Sequence, residues 1–88
     1  MSTGVTKMTV FKVQVLLEGD LHNLANRVLR YFRHEEFFDS DDEWMLHMKG
    51  SGNYLVRYLD NEVLARLCVE RTQRKLKELR VQDLLHLN

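Results

Sequence analysis

The 88 residues contain no proline, a single cysteine (Cys68) and only four glycines. Without proline there is no polyproline ligand segment and no proline-rich linker. One cysteine excludes a disulfide framework within the chain and suits a reducing, intracellular compartment. No apolar run approaches the roughly 20 residues that a membrane-spanning helix needs. The first seven residues lack a secretory pattern, so cytoplasm or nucleus is the expected location. Neither sign of charge is in excess: Lys and Arg total 13, as do Asp and Glu. That balance argues against a dedicated nucleic-acid binder, which carries a basic surplus. Internal repeats and low-complexity tracts are absent as well.

The chain does contain enough apolar residues to fold. A hydrophobic content of 44% with 30% charged residues is ordinary for a globular domain and wrong for a disordered one. The length allows one domain, which we place at 8–88 behind a flexible tail at 1–7. So small a domain buries a modest fraction of its surface, so a protein partner or a homodimer is expected. Its charge is segregated. Residues 35–43 hold six acids and no base, whereas 66–80 hold six bases against Glu70 and Glu78. Such patches meet within a fold or between partners, or form two solvated faces.

Periodicity supplies the elements. From Met8 to Leu17 the chain alternates, with Phe11, Val13, Val15 and Leu17 on one side and Lys12 and Gln14 on the other, as a half-buried strand does. Glu18-Gly19-Asp20 then reads as a turn, with Asp20 as helix cap. Leu21, Leu24, Ala25, Val28, Leu29 and Phe32 form one stripe of an α-helix, with Arg27, Arg30 and Arg33 opposite. Ser40 to Glu43 matches a capping box, but the Gly50-Ser51-Gly52-Asn53 turn signal favours a strand at 44–49, with Trp44, Leu46 and Met48 on one face. Tyr54 to Leu59 is the next strand. Asp60-Asn61 reads as a two-residue hairpin turn into a further strand at 63–69. A helix capped by Asp60 or Asn61 and using Leu64, Leu67, Cys68 and Leu76 is the competing assignment. Thr72 is read as the cap of a charged terminal helix bearing Leu76 and Leu79, and 81–88 is apolar enough to pack on the sheet or on another chain.

Few residue patterns suggest chemistry. His22, His34, His47 and His86 lack the spacing of zinc ligands, and His34-Glu35-Glu36 is not followed by the second histidine of a zinc protease. A calcium loop opening at Asp39 would need Gly and Glu where Trp44 and Gly50 stand. Ser40, upstream of acids, fits both a cap and a substrate of an acid-directed kinase. Gly50-Ser51-Gly52 precedes a strand rather than the helix of a phosphate loop. Cys68 has no histidine near it in sequence and reads as a buried structural thiol. An aromatic sheet (Trp44, Tyr54, Tyr58) beside a basic segment at 71–80 would suit RNA, although core burial explains the aromatics equally well.

The pieces Arg27-Val-Leu-Arg-Tyr-Phe, Asp42-Glu43-Trp44, Gly50-Ser51-Gly52-Asn53, Ala65-Arg66-Leu67 and Val69-Glu70-Arg71 together resemble the Ran-binding domain, a pleckstrin-homology-like fold. The resemblance spans residues 27–72. It implies an arginine-led strand at 27–32, an Arg-Leu strand near 65–69, a structural Trp44 and a non-enzymatic module that binds a small GTPase of nuclear transport.

The expectation from the residues themselves is an α+β domain in the order β-α-β-β-β-α, a mostly antiparallel sheet with its helices on one face. No enzyme, cofactor or metal site is expected. The function expected first is protein binding through Glu35, Glu36, Phe37, Phe38, Asp41 and Asp42 in the acidic loop and Arg71, Arg74 and Lys75 in the basic segment. Phe37, Phe38 or Trp44 would serve as apolar anchors. RNA binding through the tyrosines is the alternative.

Overall fold

The computed structural model describes residues 9–34 and 44–86. They form a three-stranded antiparallel sheet and four helices, an α+β domain. Strand β1 (Phe11–Leu17) leads through a one-turn helix α1 (Asp20–Asn23) into α2 (Ala25–His34). Strands β2 (Met45–Lys49) and β3 (Gly52–Leu59) form a hairpin, followed by α3 (Glu62–Glu78) and α4 (Val81–Leu85). The sheet order is β1-β3-β2, so β3 is central.

Register fixes the two faces. Val13 pairs with Arg57 and Val15 with Leu55 on β1–β3, while Leu46 pairs with Leu55 on β2–β3. Residues directly opposite in an antiparallel ladder share a face. Every strand residue in the hydrophobic core or packed on it comes from this one face: Phe11, Val13, Val15, Leu17, Leu46, Leu55 and Leu59. The helices complete the core with Ala25, Val28 and Phe32 of α2, Ala65, Cys68 and Leu76 of α3, and Leu84 of α4. All helices that contribute to the core therefore lie on one side of the sheet, as the alternation in β1 and the stripe in α2 require.

Trp44 enters at the mouth of β2 and is buried. Its indole meets Phe32 edge-on at 5.4 Å, and the Arg57 guanidinium lies over it at 5.7 Å from the ring centre. Arg33 donates from Nε and Nη2 to the Trp44 carbonyl at 3.1 and 2.8 Å. These contacts tie the last turn of α2 to the start of the hairpin. The hairpin itself turns on Gly50, whose φ of +61° is a left-handed conformation that glycine adopts without a Cβ penalty.

Four local assignments are corrected. Residues 63–69 are helical, within a 17-residue helix, and not a fourth strand. Asp60-Asn61 is consequently no hairpin turn: the Asn61 side-chain oxygen accepts the Leu64 amide at 3.0 Å and caps α3. The buried stripe of α3 is Ala65, Cys68, Thr72 and Leu76, so Thr72 sits in mid-helix instead of capping a later one. At the first helix Gly19 occupies the cap position, with φ +58°, and Asp20 is the first helical residue. The strands that the Ran-binding resemblance implies at 27–32 and 65–69 are both helical here. The flexible tail at 1–7 and the capping box at 40–43 lie outside the described residues.

Candidate functional site

Helix α3 carries most of the predicted basic site. Arg71 and Arg74 are exposed, and Lys75 is half-buried with its Nζ 5.7 Å from the centre of the Tyr31 ring on α2. What the alternating reading missed is the apolar content of the same outer surface. Leu64 is 50% exposed, Leu67 is 38% exposed and Val63 is more open still. Leu64, Leu67, Arg71 and Arg74 recur at i, i+3, i+7 and i+10, which is one side of a helix. The core stripe uses the other side, so α3 is apolar on two faces, and only one is consumed by folding. A strand reading could not show this, because it puts Leu64 and Leu67 on opposite faces.

The sheet face turned away from the helices is the second surface. Across its three strands, Lys12 stands opposite Tyr58, Gln14 and Met45 flank Val56, and Leu16 and His47 flank Tyr54. The sequence placed Trp44 with the two tyrosines and set that group beside the basic segment. The structure separates all three. Trp44 belongs to the helix-covered face, and α3 packs on that face too, so the tyrosines and Arg71 to Arg80 lie on opposite sides of the sheet. Burial also removes Trp44 as an apolar anchor for a partner, a correction of its expected role.

A third feature had no signal in the sequence. A groove of about 350 Å³ runs between α1–α2 and the β2–β3 hairpin, lined by His22, Asn23, Ala25, Asn26, Leu46, Met48 and Asn53. Asn53 Nδ2 donates to the His22 carbonyl at 3.2 Å and lies 3.4 Å from His22 Nδ1, which fixes both side chains at its wall. Three carboxamides and an imidazole offer hydrogen-bond donors and acceptors, with no carboxylate among the lining residues. The four polar residues come from three separate elements, so no linear motif announces them.

Among the described residues no three His, Cys, Asp or Glu side chains gather as metal ligands, and no helix is long and apolar enough to cross a membrane. Cys68 is fully buried, with its sulfur 4.0 Å from the Thr72 hydroxyl. Burial pushes its thiol pKa up; the Thr72 contact and the charges of Arg57 and Arg71 pull less strongly the other way. A thiol in that setting is a poor nucleophile. The predicted partner residues Glu35, Glu36, Phe37, Phe38, Asp41 and Asp42 lie outside the described residues.

Comparison with protein-family models, with curated proteins and with solved structures finds no match for this chain.

Proposed function

We propose that this chain is a non-enzymatic protein-interaction module whose contact surface is the outer side of α3. The observation that supports this reading is the run of half-exposed Leu64 and Leu67 leading directly into exposed Arg71 and Arg74 on one helix side. Apolar side chains at the centre of a contact supply affinity, and charges at its rim supply rate and orientation. The chemistry that fits is an acidic, amphipathic segment of another protein. Its apolar residues would meet the leucines and its carboxylates the arginines. A second copy of this chain fits less well, because a two-fold contact sets the same basic stripe against itself.

A photo-crosslinking amino acid placed at position 67 tests the reading in the native cell. The expected result is a discrete protein adduct whose yield falls about tenfold when Arg71→Glu and Arg74→Glu are combined. Circular dichroism verifies that the variant keeps its fold. An adduct indifferent to the charge reversal, or one made with nucleic acid, overturns the reading. Light scattering separates the remaining case: a dimer broken by the same reversal identifies the partner as a second copy.

A further inference from the structure

The sheet face opposite the helices carries two tyrosines on its central strand. Tyr54 and Tyr58 stand four residues apart in β3, about 13 Å along the strand. Tyr58 is 42% exposed, and Tyr54 is half-buried. The Tyr54 ring is held in place from below. A Cβ added to Gly52 would come within 3.1 Å of its Cε2, so the ring rests against the bare glycine backbone, beside Leu16. Between the tyrosines Val56 is only 1% exposed and contributes almost no apolar area of its own.

Among the described strand residues, charge on this face has one sign. The three strands contain no Asp or Glu at all, while Lys12, His47 and Lys49 all point to the open side by register. Lys12 is directly opposite Tyr58, and His47 is directly opposite Tyr54. The chain as a whole is neutral, so this local bias is produced by placement.

We propose that this face binds single-stranded nucleic acid, with bases stacking on Tyr54 and Tyr58 and phosphates meeting Lys12 and Lys49. An aromatic pair on an open sheet whose strands carry lysines and no carboxylate is complementary to splayed bases on a polyanion, with Glu62 bordering Lys12 at the α3 edge. Leu16 and Met45, 43% and 41% exposed, add apolar edges beside the two rings, and the lysines with no strand carboxylate favour a polyanion over a protein surface of mixed charge. The proposal goes beyond the α3 reading and is independent of it, because the two surfaces lie on opposite sides of the sheet. Binding of both partners at once is sterically allowed.

Fluorescence anisotropy with a labelled oligouridine of about eight nucleotides tests it. The expected result is saturable binding that Tyr58→Ala or Tyr54→Ala weakens by about 5- to 100-fold each, and that the Phe variants preserve, since stacking needs the ring alone. Lys12→Glu with Lys49→Glu should weaken binding and flatten the dependence of log affinity on log salt from about −1.4 toward zero, at about −0.7 per phosphate neutralised. Arg71→Glu with Arg74→Glu should leave affinity unchanged. Four results overturn the proposal: no binding at low salt, alanine variants that bind like the parent, loss of affinity that follows Arg71 and Arg74, or a dimer that Tyr58→Ala dissociates. The crosslink at position 67 and the anisotropy fail separately, so either surface can be refuted alone.

Discussion

Asn61 decides what the last third of the chain becomes. Its side-chain oxygen accepts the Leu64 amide at 3.0 Å, satisfying one of the four amides left over at the start of α3. Asn61→Ala deletes that bond at an exposed helix end and should cost about 1 kcal/mol. For a domain of this size unfolding in urea loses about 1 kcal/mol per molar, so the midpoint should fall by about 1 M. Far-UV circular dichroism follows the transition directly, since α3 is the longest helix. Asp60→Ala is the control, and it should shift the midpoint by a few tenths of that at most, because no cap bond involves its side chain. Asn61→Gly discriminates further. As a cap, glycine is only a few tenths of a kcal/mol worse than asparagine. In a two-residue hairpin turn, an Asp-Gly pair would be the better sequence and would stabilise. A midpoint that rises with Asn61→Gly, or is unmoved by Asn61→Ala, refutes the assignment of 62–78 as a capped helix.

Two further outcomes follow from the core. Trp44→Ala removes a buried ring that Phe32 and Arg57 pack against and should cost about 3–5 kcal/mol. That is a large part of the about 4–13 kcal/mol expected for a domain this size, and it should lower Tm by at least about 15 °C in a dichroism melt; a drop under about 5 °C would show that the ring is not a keystone. Cys68 titrates higher folded than unfolded, so its contribution is fully present below the unfolded thiol value of about 8.5 and is lost as pH rises from there through the folded value. Urea midpoints should therefore decline above about pH 8.5 and decline less in Cys68→Ala, and the native thiol should react slowly with a disulfide reagent at neutral pH; a fast reaction would refute its burial.

Most of the sheet and its first helix were legible because their periods are clean. β1 alternates through Phe11, Val13, Val15 and Leu17 with Leu16 as the one apolar residue in the outward row, and the stripe from Leu21 to Phe32 fits a helical period despite the break at Leu24. The segment 63–69 was misread for a physical reason. Val63, Ala65, Leu67 and Val69 alternate with Leu64, Arg66, Cys68 and Glu70, so period 2 and period 3.6 both find apolar positions. Burial then selects Ala65 and Cys68 while leaving Val63, Leu64 and Leu67 outside, a division that no local pattern encodes. The site was legible in part. Arg71, Arg74 and the two tyrosines were visible as residue types, but their distribution over opposite sides of the sheet depends on β3 being central, and strand order is a long-range property. The groove walled by His22 and Asn53 lay beyond sequence reasoning for the same reason.

Strand β3 is what makes two independent surfaces available in so short a chain. Leu55 and Arg57 face the helices, while Tyr54, Val56 and Tyr58 face away, so one strand serves as both core and platform. A slip of one residue in its register would exchange these sets, burying two phenols under the helices and exposing Leu55 and the Arg57–Trp44 stack. Leu55, fully buried between Val15 and Leu46, makes that slip costly, because it would leave the core for solvent. The same logic explains why the second apolar side of α3 is tolerated. With the sheet committed to one covered face, no second layer packs on the outer side of α3 among the described residues, and Leu64 and Leu67 stay exposed there.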